Sequence, residues 1–329
     1  LVERIIAAVT ALDWPRDRLK IQVLDDSTDG SWTHSASAVG AASAAGFRIE
    51  LIRRVHRSGY KAGALAAGLA RSDAHYVAIF DADFVPTPNF LRETVGVLAA
   101  DPGLAYCQCR WEHANREASF LTRVQARLLD GHFRVEQEAR FRLGLPAAFN
   151  GTCGLWRCAA IADAGGWHGD TLTEDLDLSL RAHLRGWRSA YLHDLAVPGS
   201  LPESARAWRS QQFRWTKGFV QCALKLLPPV WRSDVLPLWQ KPVVSLQMLQ
   251  PSAFLIGICC TLLGLPFIAG ALIPGPELRV VAACTSVLGI AGTLGLLLTG
   301  ARGAGRPRAL RESVAAVFLS TGLLLSNAR

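Results

Sequence analysis

The sequence has no C-x-x-C pair among its eight cysteines, and Cys222, Cys259, Cys260 and Cys284 lie in or beside apolar stretches. That pattern excludes a disulfide framework and predicts reduced thiols. Charge is sparse too. Asp, Glu, Lys and Arg make up 19% of the 329 residues, hydrophobic residues 50%, and the mean hydropathy is +0.21. Globular chains carry about 25% charge, so part of this one is expected in a membrane. The formal net charge is +8, but Lys and Arg are scattered and no nucleic-acid-binding motif is present, which argues against nucleic acid as a partner. A nucleoside diphosphate and a cytoplasmic membrane face account for the basic balance better. The G-x-x-x-x-G-K spacing of a phosphate loop is missing, as is any targeting segment. The chain opens at Leu1 without methionine and closes within an apolar run, so it reads as a fragment.

What is present is organised around Tyr76 to Pro86, Y-V-A-I-F-D-A-D-F-V-P. The apolar run Val77 to Phe80 predicts a strand buried on both faces of a parallel sheet, delivering Asp81 and Asp83 to its carboxyl edge. In an extended segment, residues i and i+2 point the same way, so both carboxylates can face one point. Two hard oxygen ligands with no His or Cys nearby favour Mg²⁺ or Mn²⁺ over zinc. The alternative is a strand ending in a polar turn.

In chain order, a helix-like stretch (Leu1 to Leu12) and a turn at Trp14-Pro15 precede a second strand, Ile21 to Leu24. It runs into Asp25-Asp26-Ser27-Thr28-Asp29-Gly30. Asp25 or Asp26 is placed to accept hydrogen bonds from a base or ribose, whereas Thr28 to Gly30 read as a turn and helix cap. A helix (Thr33 to Ala45) and a strand (Arg48 to Arg53) lead to G-Y-K-A-G-A-L at a helix entry, where Lys61 is the candidate phosphate contact. A helix from Asn89 to Ala100 and a strand from Leu104 to Arg110 complete an alternation that predicts a doubly wound α/β domain.

Ser119 to Arg140 is helix-like. The small-residue loop Asn150-Gly151-Thr152 suits close approach by a sugar, or a tight turn before a core strand. In Thr173-Glu174-Asp175-Leu176-Asp177, Thr173 is expected to cap a helix. Capping electrostatics suffice for Glu174, yet a helix N-terminus beside a glycine-rich loop also holds a general base rigidly at a pocket wall. After a strand near Arg188 to Leu192, Gln211-Gln212-Phe213-Arg214-Trp215 offers an amide, a fixed cation and an aromatic platform for a pyrophosphate and a sugar ring. An interfacial Trp and Arg beside a membrane would look similar.

Asp25-Asp26-Ser27, Asp81-Ala82-Asp83, Thr173-Glu174-Asp175 and Gln211-Gln212-Phe213-Arg214-Trp215 stand in the order seen in family 2 glycosyltransferases. The G-Y-K-A-G-A-L, V-E-Q-E and F-N-G-T stretches resemble the mannan and glucomannan synthase-like branch of the cellulose synthase group. The resemblance covers roughly Leu1 to Leu227. It implies a Rossmann-like nucleotide-sugar domain of glycosyltransferase-A type. It also implies that Asp26, with Asp25, contacts the nucleoside, Lys61 the diphosphate, and Asp81 and Asp83 the nucleotide and its Mg²⁺ or Mn²⁺. Asp175 becomes the catalytic base, Gln211 and Arg214 contact the donor diphosphate, and Trp215 stacks beneath the acceptor, with Glu174, Asn150, Gly151 and Thr152 on the acceptor side. Such domains usually begin with a strand and turn that touch the base. This chain starts after that point, so an incomplete nucleotide pocket is expected.

Past Leu227, Pro228, Pro229, Trp231, Pro237, Trp239 and Lys241 suggest an interfacial stretch over residues 228–242. Val243 to Ile273, interrupted by Pro251 and Pro266, and Val280 to Gly300 carry no charge, and with Ser313 to Ser326 they predict about three transmembrane helices. Arg302, Arg306, Arg308 and Arg311 mark a cytoplasmic loop, which puts the catalytic domain on the same side of a cell membrane. The expected activity is metal-dependent, inverting transfer from UDP-glucose, GDP-mannose or a similar donor to a β-linked polysaccharide. The alternatives are transfer to a membrane lipid, a glycoside hydrolase using Asp83 and Asp175, and a non-catalytic scaffold.

Overall fold

The computed structural model describes residues 1–250, 275–301 and 305–323. The chain divides into two compact units. One comprises Leu1–Ala114, Glu138–Ser200 and Gln221–Ser245, the other Asn115–Gln137, Leu201–Val220 and Leu246–Arg329.

In the first unit, α1 (Val2–Thr10) precedes β1 (Ile21–Leu24), which pairs in parallel with β2 (Ile49–Ile52) across α2 (Trp32–Ala44). After α3 (Tyr60–Leu69) comes a second sheet, built from β3 (Tyr76–Ile79), β4 (Leu104–His113), β5 (Gly154–Arg157) and β6 (Arg188–Gly199) in the order β3-β5-β4-β6. Helices α4 (Phe90–Ala100), α7 (Cys158–Asp163) and α8 (Glu174–Leu184) belong to the same unit, as do residues 240–245 of α10 (Gln240–Leu249).

The strand and helix alternation is as expected, but the sheet is not all parallel. β5 runs antiparallel to both neighbours, while β4 and β6 run parallel. The reversal follows from the loop before β5. Gly151 and Cys153 both take left-handed backbone conformations (φ 78° and 60°), which turn the chain back between β3 and β4. β3 therefore has one partner strand in its sheet, and Tyr76, Val77 and Ala78 are only half-buried rather than enclosed on both faces. β4 is the fully enclosed strand, buried from Leu104 through Arg110.

Adjacent residues of β5 feed two cores. Leu155 joins Phe90, Leu98, Cys107 and Val197. Trp156 joins Tyr106, Phe149, Ile161 and Leu178. Burying each large apolar side chain contributes about 1.5–3 kcal/mol, so the two layers fix the plane from which the loops project. The described cysteines are all free, as their spacing predicts.

In the second unit, Ser119 and Thr122 form a reciprocal cap on α5 (Phe120–Gly131). The expected single helix to Arg140 is instead three pieces: α5, a π-helical segment His132–Gln137, and α6 (Glu138–Arg142) in the first unit. The wider π turn shifts the helical phase. α9 (Ala205–Arg232) carries the Gln211 to Trp215 motif in its second-unit half and passes through Pro228 and Pro229.

α11 (Pro276–Thr299) coincides with the expected span at Val280 to Gly300. The span Val243 to Ile273 lies outside the described residues from 251 onward. α12 (Arg306–Thr321) starts earlier than the expected Ser313 span and absorbs much of the basic stretch read as a loop. There Arg308 pairs with Glu117 and Glu312, and Arg127 meets the buried Glu312 at 2.7 Å. These acidic partners explain why arginines sit in a helix rather than in a free loop. Among the described residues no helix is long and apolar enough to cross a membrane; the side chains of residues 278, 281–283, 285 and 286 of α11 lie outside the description.

Candidate active site

The site is assembled in the first unit from three loops and two helix N-termini. Gly59 and Tyr60 both have positive φ (69° and 46°), turning the chain into α3 so that Lys61 sits in its first turn. The Lys61 ammonium donates to Asp81 Oδ1 at 2.5 Å and to the Gly151 carbonyl at 3.0 Å, with Glu174 Oε1 at 4.0 Å. Burial alone would depress this lysine. The charges of Asp81, Glu174 and Asp175, with the hydrogen bond to Asp81, outweigh it and hold its pKa above the ordinary value.

Asp81 follows β3 directly, and its backbone N–H donates to Thr152 Oγ1 at 2.9 Å. The two carboxylates are not on an extended strand. β3 ends at Ile79, and Phe84 N–H donates to the Asp81 carbonyl to close a turn over Asp81–Phe84. The polar turn and the shared acidic site thus coexist. Burial, and then the Asp81 charge, raise the Asp83 carboxyl above the usual range. A half-buried acidic pair of this kind is a donor set that a hard divalent cation relieves, so Asp81 and Asp83 fit Mg²⁺ or Mn²⁺.

At the start of α8, Glu174 is 9% exposed and its neighbour Asp175 is half-buried. Burial, reinforced by the Glu174 charge, pushes the Asp175 carboxyl up to about 7, although Leu176 N–H and Lys61 act against this. Burial raises Glu174 as well, with Lys61 opposing. Thr173 occupies the cap position but makes no side-chain cap; its hydroxyl lies 3.3 Å from Cys222 Sγ, and Asp175 Oδ1 instead accepts from the Leu176 N–H. The close contact across the site explains the glycine at 151. A Cβ there would stand 3.0 Å from Asp175 Oδ2 and 3.5 Å from Lys61 Nζ.

Lys61, Asp81, Gly151, Thr152, Glu174 and Asp175 are therefore one constellation. Asp26 reaches it indirectly: it pairs with Arg54, whose guanidinium also donates to the Ser58 and Tyr60 carbonyls ahead of α3. Asp25 is turned to Ser27 and Ser35. Burial would raise its carboxyl, but those hydrogen bonds hold it below the usual range. Asn150 donates its backbone N–H to Gln108 Oε1 at 2.9 Å. Gln211, Arg214 and Trp215 lie on α9 in the second unit.

The family model described as glycosyl transferase family group 2 matches residues 76–291. The chain belongs to glycosyl transferase family group 2. Glucomannan 4-beta-mannosyltransferase 2 of Arabidopsis thaliana is 45% identical over 243 residues, covering 73% of this chain and 46% of that protein. Glucomannan 4-beta-mannosyltransferase 1 of Oryza sativa subsp. japonica is 41% identical over 250 residues, covering 72% of this chain and 46% of that protein. The chain thus spans about half the length of these curated relatives.

Among solved structures, the mannosyltransferase PcManGT from Pyrobaculum calidifontis, in complex with GDP-Man and Mn²⁺, superposes with a TM-score of 0.65 at 19% identity. It covers 99% of this chain and 81% of that one. S. aureus TarS 1-349 in complex with UDP-GlcNAc gives 0.54 at 12% identity, with 99% and 85% coverage. These likenesses establish an α/β glycosyltransferase fold.

Several members of this candidate site escape a reading by motif. Gln108 is wholly buried beneath the 150–153 loop, and its signal is a lone amide inside the buried run Ala105 to Cys109. Ser179 accepts from the Phe149 N–H at 2.8 Å and donates to the Asp175 carbonyl, joining loop to helix. The carboxylates of Asp170 and Asp177 cluster with His168, but Lys225 Nζ stands 2.8, 2.9 and 3.1 Å from Asp170, Asp177 and His168 respectively. An ammonium already supplies the positive charge there. Buried Asp177 also pairs with Arg181, which donates to the Ala164 and Gly166 carbonyls and pins the glycine loop.

Proposed function

We propose that this chain is the catalytic part of a membrane-bound, inverting glycosyltransferase that moves a sugar from a nucleotide-diphosphate donor to a β-linked polysaccharide. The observation that carries the reading is Asp175, a carboxyl held near neutrality at a helix N-terminus across from Gly151 and Lys61. A general base works best when its pKa lies near the working pH. Asp175 removes the acceptor hydroxyl's proton as that oxygen attacks the anomeric carbon. The bond to the nucleoside diphosphate breaks on the opposite face, so an α-linked donor becomes a β-glycoside. Lys61, with Gln211 and Arg214, meets the charge developing on the diphosphate. Asp81 and Asp83 would hold Mg²⁺ or Mn²⁺, which when bound would neutralise charge on the leaving group. Trp215 stacks on the acceptor sugar; Glu174 and the Asn150 to Thr152 loop border it, and Asp26, with Asp25, lies on the nucleoside side.

The glucomannan mannosyltransferase relatives favour a GDP-mannose type donor over UDP-glucose. The domain is doubly wound, of glycosyltransferase-A type, and is followed by transmembrane helices within residues 243–329. It sits on the cytoplasmic face, where nucleotide sugars are made. The uncharged runs Val243 to Ile273 and Val280 to Gly300 support this placement.

The deciding experiment puts the full-length parent in lipid nanodiscs with Mg²⁺ or Mn²⁺ and a panel of nucleotide sugars, following nucleoside diphosphate release and sizing the product. Release from one donor with a growing β-linked polysaccharide is expected. A single sugar on lipid would move the assignment to a lipid glycosyltransferase, and no release from any donor would remove the catalytic reading.

A further inference from the structure

The 150–153 loop is strained and yet carries two jobs at once. Gly151 presents its carbonyl to Lys61 and passes beside Asp175, while Gly151 and Cys153 both occupy the left-handed region. For Cys153, which has a Cβ, that conformation costs on the order of 1–2 kcal/mol, so something must over-determine it. Backbone bonds tie Cys153 to Ile79 and Cys109, and one side chain holds the rest of the loop. Gln108 Oε1 accepts from the Asn150 N–H at 2.9 Å, and Gln108 Nε2 donates to the Thr152 carbonyl at 3.0 Å and the Cys153 carbonyl at 3.1 Å. The amide therefore grips the loop on both sides of Gly151. It also reaches the Cys109 carbonyl at 2.8 Å, which anchors it to its own strand, and it is 0% exposed. On the next inward position of β4, Tyr106 donates to the Ala147 carbonyl, extending the same support one step upstream.

We infer that Gln108 is a positioning residue of this glycosyltransferase. From inside the central strand it sets the Gly151 carbonyl that holds Lys61 and the backbone wall that faces Asp175, without touching substrate. The inference rests on the proposed catalytic reading of Lys61 and Asp175. Asp81 still holds Lys61 when the Gly151 carbonyl moves, so donor affinity is largely preserved. What is lost is the alignment of base, acceptor and anomeric carbon, and misplacement of about 1 Å costs on the order of a hundredfold in rate.

The test compares the full-length enzyme with Gln108→Met, which keeps length and burial but no polar atom, and Gln108→Glu, which keeps an acceptor for Asn150 and loses both donors. In Gln108→Met, kcat should fall at least about tenfold while donor KM stays within about threefold. Amide hydrogen exchange of the Asn150 N–H should accelerate at least about tenfold, beyond what the global loss of stability accounts for. Gln108→Glu should show the kcat loss with Asn150 protection largely retained. A variant with unchanged kcat, or with both kcat and KM altered in proportion to lost stability, overturns the inference. So does unfolding of both variants, because the amide would then serve the fold alone. Exchange reads the loop without turnover, so a wild-type enzyme that processes no nucleotide sugar would refute the catalytic reading separately.

Discussion

β1 and β3 end in the same kind of signal, an apolar strand running into two carboxylates, and the folded protein treats the two pairs in opposite ways. At β1, Asp25 is hydrogen-bonded by Ser27 and Ser35 and Asp26 is paired by the Arg54 fork, so both carboxylates are satisfied locally. At β3, four carboxyls (Asp81, Asp83, Glu174, Asp175) crowd around Lys61, and three of them are raised above their ordinary pKa. The first pair builds a rigid turn. The second is a charge imbalance that the fold tolerates, and perturbed groups of this kind gather at functional sites.

The sharpest way to break the contrast is Asp175→Asn. Transfer should fall below a few per cent of wild type while nucleoside diphosphate binding, read by calorimetry, stays nearly intact. Surviving transfer would dismiss Asp175 as the base.

The next effect is in pH. The Asp175 carboxyl sits at about 7 and must be ionised to accept a proton, so kcat should fall about tenfold per pH unit on the acid side of neutrality. Stability runs the other way. Folded Asp175 keeps its proton up to about 7, whereas the unfolded chain releases it near 3.8. Across that window the folded state binds more protons, so this group's contribution falls as pH rises. Asp175→Asn should therefore melt higher than wild type above neutrality, a stability gain at the expense of activity. An equal or lower melting temperature there would contradict the raised pKa.

At the other pair, Arg54→Ala leaves a largely buried Asp26 carboxylate and two loop carbonyls without their donor, and should cost about 1–3 kcal/mol in urea unfolding. Ser35→Ala removes one of several bonds to Asp25 and should cost about 1 kcal/mol or less, with turnover unchanged. If Ser35→Ala proved the more damaging of the two, the view of Arg54 as the brace ahead of Lys61 would be lost.

Much of the fold was legible because short-range chemistry decides it. The run Ile21 to Leu24 is β1 to the residue, and Asn89, Phe90 and the apolar period after them place α4. The break in the Ser119 to Arg140 helix was not legible, nor was the antiparallel β5, since four apolar residues read alike in either direction. The site was legible where acids cluster in sequence. Gln108 was not, because an amide's role depends on which loop folds over it. Lys225 and Arg54 were missed for the same reason: their carboxylate partners lie 48 and 28 residues away, as in Asp177 and Asp26.

The sequence alone determined the α/β alternation, the carboxylates at strand and helix ends, the reduced cysteines and the family, because each follows from local pattern and residue order. Tertiary structure decided which of those carboxylates are neutralised and which are left short of charge. A pKa depends on burial and on charges that only folding brings within a few ångströms, and no spacing along the chain encodes that distance.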